Sequence, residues 1–428
     1  MPAILALKTT PEVNRAALIS VNRPTWALPG FEQFPYCLAA MTGDSAQQHA
    51  DLTSAVARVC EQFGDDYWLS CDRDGTFPAE FHKAMADGGW LGITMPEELG
   101  GAGLGVTEAA LMMKTVTSSG GAFAAASAIH LNLFGPHAIV VHGTPEQKAR
   151  MLPPLMRGEH KACFGVTEPD AGLDTTRIRT FARREGERYI INGQKIWTSS
   201  AQVASHIVLL ARTTPYDECA KKTRGLSLFY TPLDRQRVEV REIPKMGRAA
   251  VDTNQVFIEN LEVPVEDRIG EEGEGFMYLL DSLNPERILV AMEAIGIGLD
   301  AVRRAAKYAG ERKVFGRAIG QNQSIQHPLA ESWMELRAAE LMALEAARKY
   351  DAGEPCGAEA NAAKYLAAEA AFKACSNAVR THGGMGYARE FHVERLLREA
   401  MIPVLAPVSQ QMILNFISER VLGLPRSY

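Results

Sequence analysis

The sequence predicts an α+β protein made of a helical segment, a β-rich segment and a second helical segment. Apolar residues recur at helical spacing between residues 45 and 158. Short runs with extended character, separated by turn residues, continue to about residue 265, and long Ala- and Leu-rich stretches return from residue 272. We therefore predict an N-terminal extension (1–45), an N-terminal helical domain (46–160), a middle antiparallel β-domain (161–270) and a C-terminal helical bundle (271–428).

The helices of the first segment are predicted from their apolar period and from signals at their ends. Gly88 and Gly89 stop one helix, and Thr144 begins another as a cap before Pro145. The predicted helices are Gln48–Glu61, Pro78–Asp87, Thr107–Ser119, Ala122–Phe134 and Thr144–Met156.

The middle segment is predicted to form short strands joined by turns. Asn192 and Gly193 stand between two apolar runs, which predicts a tight hairpin turn at that position. The predicted strands are Cys163–Thr167, Tyr189–Ile191, His206–Ala211, Leu226–Thr231, Val238–Glu242 and Asn254–Glu259.

The last segment is predicted to be an up-and-down bundle, because its long helices are joined by short loops. A loop that holds Pro403 and Pro407 separates the last two helices, since proline cannot continue a helix. The predicted helices are Pro285–Tyr308, Gln326–Ala352, Ala358–His382, Glu390–Met401 and Ser409–Leu422.

The composition bounds the class of protein. With 46% hydrophobic and 22% charged residues, the 428-residue chain has the composition of an ordinary soluble globular protein. Its net charge of −6 argues against a primary nucleic-acid role, and we expect no membrane span. The seven cysteines include no C-x-x-C pair and the ten histidines no H-E-x-x-H spacing, so we expect a reducing compartment and no metal site.

Residues 1–45 contain Pro, Gly and aromatic residues but only three acidic ones. They lack a positively charged start followed by an apolar run, which argues against a secretory signal. We predict a cytoplasmic protein, or a mitochondrial matrix protein if the extension is a transit peptide. An extension that lies on the protein surface is the simpler interpretation.

Two polar turns in the middle segment are the main candidates for a binding site. Thr167–Gly172 follows one predicted strand, and Trp197, Thr198 and Ser199 follow another. Hydroxyls, backbone N–H groups and one large indole at the same sheet edge suit a flat heteroaromatic ligand, because the indole covers a face while the donors fix the ring's edge.

These turns resemble the central signature of the acyl-CoA dehydrogenase family of flavoproteins. The family's T-E-P-x-A-G-S-D turn matches Thr167–Asp174, with Leu173 where Ser is usual, and its K-x-W-[IT]-[TS] turn matches Lys195–Ser199. The resemblance extends from about residue 50 to the C-terminus. It implies the family's three-domain fold with a C-terminal four-helix bundle, an FAD cofactor and a homo-oligomer, either a tetramer or a dimer.

The resemblance implies which residues hold the flavin ring. Thr167 and Ser199 match positions that supply hydroxyls to the ring, and Trp197 matches the aromatic residue that stacks against it. A Thr-Pro turn and a core Trp are the alternative structural roles. The implied ring-binding residues are Phe164, Val166, Thr167, Trp197, Thr198 and Ser199.

The resemblance also implies contacts with the rest of FAD. A segment that runs from Arg312 through Phe315 to Gln323 matches one that reaches the FAD of the neighbouring subunit, although a basic helix end is often only solvated. The glycine-rich stretch around Gly383 and Gly384 matches one that meets the adenosine half of FAD, with Arg380 where Gln is commoner. The same glycines suit a helix C-cap.

The catalytic base of most members of the family is missing from this chain. Removal of the α-proton of an acyl thioester needs a carboxylate, which the family carries in a late Y-E-G-T-S-Q motif. Ala406 stands at the glutamate's place here, and Val408 replaces the threonine, whereas Ser409 and Gln410 match and are implied cofactor contacts.

A second base position is known in isovaleryl- and long-chain-type members, in an E-R-[LI] context. Glu286 matches that position, and Arg287 matches the adjacent arginine, which we assign to substrate binding. The structural alternative makes Asn284 a helix cap, Pro285 the first helical residue and Glu286 a first-turn acid. Glu293, seven residues further on, is the next candidate base.

The resemblance implies FAD-dependent α,β-dehydrogenation of an acyl-CoA to the enoyl-CoA, with electrons passed to an electron-transferring flavoprotein. Glu286 would remove the α-proton while the flavin takes the β-hydride. Two alternatives remain open. One is a flavin monooxygenase or oxidase on the same fold, and the other is a non-catalytic flavin-fold protein.

Overall fold

The computed structural model describes residues 43–427, leaving aside the side chains of Asp44 and Phe134. Most of the predicted extension therefore lies outside the described residues. The first helical segment contains α1 (Gly43–Cys60), α2 (Asp65–Asp74), α3 (Ala79–Asp87), α4 (Val106–Val116), α5 (Ala122–Phe134), α6 (His137–His142) and α7 (Pro145–Met156).

Local signals explain where α7 begins and why α2 was not predicted. Thr144 caps α7: its Oγ1 accepts from the Gln147 backbone N–H at 3.2 Å, and the Gln147 side-chain oxygen accepts from the Thr144 N–H at 2.9 Å. By contrast, α2 is a polar helix whose buried residues are only Trp68, Cys71 and Asp72. It therefore lacks an apolar period that a sequence pattern could show.

The middle segment contains β1 (Ala162–Gly165), β2 (Phe181–Glu185), β3 (Arg188–Ser199), β4 (His206–Arg212), β5 (Leu226–Pro232), β6 (Val238–Glu242), β7 (Thr253–Pro264) and β8 (Arg268–Ile269). They form one sheet in the order β6-β7-β3-β2-β4-β5-β8, with β1 paired to β4. Most pairs are antiparallel as predicted, but β1 and β2 run parallel to β4.

The hairpin turn predicted at Asn192 and Gly193 is wrong. β3 runs through both residues because β2 and β7 pair with it on its two sides, and the extra residue is absorbed as a bulge next to Gly193. A side chain at Gly193 would collide with Thr180, so the close approach of the backbone requires glycine. The chain reverses earlier, at Gly186, whose φ is 62°.

The last segment contains α8 (Gly275–Glu311), β9 (Lys313–Val314), β10 (Arg317–Ala318), α9 (Gln323–Asp351), α10 (Gly357–His382), α11 (Val393–Glu399), α12 (Ile402–Leu405) and α13 (Gln410–Phe416). The predicted start of α8 at Pro285 is wrong, since the helix begins at Gly275, where a side chain would collide with the β5 backbone. Glu286 is therefore an interior helical residue rather than a first-turn acid.

The core joins the two helical segments and places the sheet beside them. One cluster of buried apolar residues contains members of α1–α5 together with members of α8–α11. Two smaller clusters lie against the sheet, one of them shared with α6 and α7. The proposed domain boundaries at 160 and 270 fall between α7 and β1 and between β8 and α8.

Two helical stretches are long and apolar enough to cross a membrane by length and composition alone. The first, Val106–His142, has 71% of its apolar window buried within the protein, which is typical of core helices. The second, Val393–Val421, is 22% buried and is interrupted after Leu405. The absence of a membrane span stays a prediction.

Candidate active site

The structure brings the two polar turns side by side. Thr167 follows β1, and its carbonyl accepts a hydrogen bond from the Ile196 N–H of β3 at 2.9 Å. The Lys195 ammonium donates to the Val166 carbonyl at 3.0 Å. Residues about 30 positions apart in the chain therefore share one edge. Phe164 lies in β1 beside this edge.

A buried ion pair holds the two turns together. The Lys195 Nζ lies 2.9 Å from Glu168 Oε1, and both side chains are buried. The Glu168 carboxylate also accepts the backbone N–H groups of Arg179 at 2.6 Å and Thr180 at 2.9 Å. Burial lowers the pKa of Lys195 to about 8. All of these contacts give Glu168 a structural role.

A second bulge presents an indole at this edge. The β3–β7 register shifts between Lys195 and Thr198, and Trp197 adopts a φ of 62° there. Its side chain is 59% exposed, whereas Thr198 is fully buried with an Oγ1 that has no hydrogen-bond partner among the described residues. A backbone strained to expose an indole beside an unused hydroxyl fits the edge and face of a flavin ring.

Glu286 has the properties of a proton acceptor. It is partly buried in α8, and its carboxyl makes no hydrogen bond or ion pair with any residue between 43 and 427. Burial raises the pKa of this carboxyl to about 7. A carboxyl with such a pKa changes between acid and base near neutral pH, as proton transfer requires.

Three cations face Glu286 and limit that rise of its pKa: His130, Arg287 and Lys364. Arg287 donates to Asn284 Oδ1 at 3.1 Å, and its buried Nε has no partner within the described part of the chain. Lys364, buried in α10, donates to the Val408 carbonyl at 2.6 Å. Their charges favour the carboxylate form of Glu286 against the effect of burial.

Glu293, the second candidate base, is already paired. Its Oε1 lies 2.7 Å from His130 Nδ1, and its side chain is buried. Burial lowers the pKa of His130, but the Glu293 carboxylate outweighs this and the pKa is raised. The Glu293 carboxylate is thus already paired with His130, and it lies two helical turns from Glu286. Glu293 is therefore the weaker candidate for the base.

The late segment, where the family's usual glutamate is replaced, packs against α10. Ser409 caps α13, since its Oγ accepts from the Met412 N–H at 3.3 Å. The Gln410 amide donates to Glu369 at 2.9 Å and accepts from Lys364 at 3.4 Å. The side chains of both residues, which were predicted to contact the cofactor, therefore already form hydrogen bonds within the protein.

The remaining predicted FAD contacts are exposed residues between the end of α8 and the start of α9. Arg312 follows α8 and lies 26 positions beyond Glu286, or about 39 Å at about 1.5 Å per residue. Phe315 is fully exposed with a φ of 53° at the tip of the β9–β10 hairpin, and Gln323 begins α9. These residues do not meet the polar turns of the same chain.

The glycine-rich stretch ends α10. Arg380 lies exposed in the last turn of that helix, and its carbonyl accepts from the N–H of the cap residue Gly383. Gly383 has a φ of 61°, which favours glycine. A side chain at Gly383 or Gly384 would meet nothing within 4 Å, so the backbone is open to a ligand.

Sequence reasoning missed three charged residues near the site: His130, Arg248 and Lys364. His130 lies on an apolar helix, and an ionisable residue in such a pattern is a signal that could have been noticed. The other two carry no local signal, because Arg248 lies in a loop and Lys364 on an Ala-rich helix.

Family models match the chain in three consecutive parts. They are described as the N-terminal, middle and C-terminal domains of acyl-CoA dehydrogenase, and they match residues 46–159, 163–261 and 273–422. The fold, the family models and the relatives define an oxidoreductase that acts on acyl-CoA. The chain belongs to the acyl-CoA dehydrogenase family, a family of flavoproteins in fatty acid metabolism.

Curated relatives carry several names. Acyl-CoA dehydrogenase FadE12 of Mycobacterium tuberculosis is 35% identical over 389 residues, or 90% of this chain and 98% of the relative. The 3-(aryl)acrylate reductase of Clostridium sporogenes is 36% identical, over 83% and 93%. The caffeyl-CoA reductase-Etf complex subunit CarC of Acetobacterium woodii is 33% identical, over 82% and 92%.

Solved structures share the whole architecture. A glutaryl-coenzyme A dehydrogenase in complex with glutaryl-CoA aligns with a TM-score of 0.84 at 29% identity, covering 89% of this chain and 96% of the other. Butyryl-CoA dehydrogenase from Megasphaera elsdenii aligns with a TM-score of 0.83 at 27% identity, covering 87% and 98%. The three-domain fold predicted from the sequence is thereby confirmed.

Proposed function

We propose that this protein is an FAD-dependent acyl-CoA dehydrogenase that uses Glu286 as its base. The observation that carries the proposal is the partly buried Glu286 carboxyl, which has no partner among the described residues and whose pKa is raised to about 7. Glu168 and Glu293, by contrast, are held in ion pairs. Glu286 is thus the acidic residue of this site best suited to exchange a proton.

Different residues of the site would bind the cofactor, bind the substrate and transfer the proton. Trp197, Thr198 and Ser199 would hold the ring of FAD, and Arg287 would bind the substrate beside Glu286. When bound, FAD would accept the β-hydride, with its two electrons, from the acyl group. Glu286 would take the α-proton, so that the acyl-CoA loses one proton and one hydride and gains a double bond.

We propose an electron-transferring flavoprotein as the acceptor of the two electrons. The support for this partner is the relative CarC, which is named as a subunit of a caffeyl-CoA reductase-Etf complex. Air oxidation as fast as turnover would instead favour an oxygen-reacting flavoenzyme.

The function is tested by anaerobic reduction of the bound flavin. The purified protein, loaded with FAD, is mixed with short, branched, long and aryl acyl-CoAs. We expect loss of the visible flavin absorption with at least one class and the appearance of the matching enoyl-CoA. Binding of FAD without bleaching by any acyl-CoA would contradict the proposal.

We further propose a homo-oligomer in which the β9–β10 hairpin meets the FAD of a neighbouring subunit. Phe315 is exposed at the tip of a hairpin that follows the C-terminal end of α8, and about 39 Å of helix separates Glu286 from that end, so Phe315 would not contact the ring bound near Glu286 in its own chain. Val314 beside it is exposed as well, and two adjacent exposed apolar side chains on one hairpin support a contact with another subunit.

We expect Phe315→Ser to weaken assembly and FAD retention together, because both would use the same hairpin tip. Light scattering gives the mass, and the ratio of flavin to protein absorbance gives FAD content. Val141→Ser is the control, since Val141 is also an exposed apolar residue but lies on α6, away from the hairpin and the polar turns. An unchanged mass and FAD content in Phe315→Ser would contradict the proposed subunit contact.

A further inference from the structure

Arg248 links three parts of the molecule at the polar turns. It lies in the connection between β6 and β7 with a φ of 57°, which is uncommon for a residue with a side chain. Its Nη1 donates to Ser127 Oγ of α5 at 2.9 Å, and its Nη2 donates to Ser199 Oγ of β3 and to Thr253 Oγ1 of β7, both at 2.9 Å. Such a strained backbone persists where the surrounding contacts fix it.

The hydrogen bonds of Arg248 determine what the Ser199 hydroxyl can do. A guanidinium only donates, so Ser199 Oγ must accept from it. The single proton of that hydroxyl has no acceptor among residues 43–427. Because Ser199 follows the exposed Trp197 and the unpaired Thr198 hydroxyl, this proton is left for a ligand at the edge where the ring would bind.

Among the described residues, the charge of Arg248 has no close partner of opposite sign. No carboxylate within the described residues lies within ion-pair distance of its guanidinium, and its buried Nε has no hydrogen-bond partner. Glu399, Asp252 and Glu293 act on it only at longer range. A positive charge thus stands behind Ser199 in a largely buried position, where charge–charge interactions are stronger than in water.

We propose that Arg248 is a positioning residue for FAD, which orients the Ser199 hydroxyl as a donor to the ring and supplies positive charge that favours the reduced flavin. A flavin gains negative charge on reduction, so a fixed cation near its edge raises its reduction potential. This inference rests on the proposed function, because it presupposes that FAD binds at the polar turns.

The test uses the full-length protein and four variants: Arg248→Met, Arg248→Lys, Ser199→Ala and Ser127→Ala. FAD is titrated into each apoprotein, and the visible spectrum and midpoint potential of each loaded protein are measured. We expect Arg248→Met to raise the Kd for FAD at least tenfold. We also expect it to disfavour reduction about tenfold, which for a two-electron couple is about 30 mV.

The other variants separate charge from orientation. Arg248→Lys keeps the charge and should recover more of the potential than of the affinity. Ser199→Ala should weaken FAD binding and shift the spectrum while keeping most of the potential. Ser127→Ala removes one hydrogen bond of the same guanidinium away from the ring edge, so its Kd and potential should stay within about threefold of the wild-type values.

The outcomes distinguish this inference from the proposed function. If the wild type binds no FAD, the proposed function fails and this inference fails with it. If the wild type binds FAD and Arg248→Met keeps its Kd and potential, only the role of Arg248 is overturned. Equal changes of the Kd and the potential in Ser127→Ala and Arg248→Met would also overturn it, since they would show that Arg248 only stabilises the local structure. If Arg248→Met does not fold, Arg248→Lys and Ser199→Ala decide the matter.

Discussion

Glu286→Gln is expected to lower the rate of anaerobic flavin reduction by about a thousandfold, within the range of about 10² to 10⁴ for the loss of a general base. Glutamine keeps the size of the side chain and cannot accept the α-proton. Binding of the acyl-CoA should change by only a few fold, because this carboxyl makes no contact that the mutation would break within residues 43–427. Stopped-flow absorbance measures the rate, and titration measures binding.

The pH profile provides a second check on the same residue. Because the carboxylate is the active form, the reduction rate should rise with pH and reach half its maximum near 7. Glu286→Gln should remove this dependence. Glu293→Gln is the comparison on the same helix, and bleaching that survives in Glu286→Gln but disappears in Glu293→Gln would transfer the role of base to Glu293.

Lys195→Met is expected to lower the free energy of unfolding by about 3–5 kcal/mol, the usual effect of leaving one member of a buried ion pair without its partner. The variant leaves the Glu168 carboxylate buried without its countercharge. The two polar turns should then separate, so FAD content should fall with stability. Urea unfolding measures the first effect, and flavin absorbance the second.

A matched control lies on α3. Lys83 pairs with Asp87 at 2.6 Å, but both side chains are mostly exposed. Lys83→Met should therefore cost less than about 1 kcal/mol. If Lys195→Met costs no more than Lys83→Met, the buried pair does not hold the turns. The double variant with Glu168→Gln should recover part of the loss, since no buried charge remains unpaired.

The sequence was most informative where function requires particular residues close together in the chain. Both polar turns and the Glu286–Arg287 pair are short patterns with distinctive chemistry. It was least informative where contacts span the chain: His130 meets Glu293 over 163 positions, and Arg248 meets Ser127 over 121. Contacts between residues so far apart produce no periodic pattern in the local sequence, so they could not be predicted from it.

Two errors in the predicted elements have physical causes. Asn284 and Pro285 carry the usual signals of a helix start, but packing against β5 begins α8 at Gly275 and overrides them. β2 was missed because four of its five residues are partly or fully exposed, which leaves no alternation to detect. In both cases the contacts of the folded chain, and not the local sequence propensity, determine the secondary structure.

The isolation of Glu286 also links folding to the uptake of a proton. Between the ordinary pKa of 4.5 and the native value near 7, the folded protein binds a proton that the unfolded chain releases. Stability from this group is therefore complete below 4.5 and is lost as the pH rises through 7. A rise from 4.5 to about 7 corresponds to about 3 kcal/mol, at about 1.4 kcal/mol per pKa unit. The charged form of Glu286, which is the form that accepts the α-proton, is therefore also the form that lowers the stability of the folded protein.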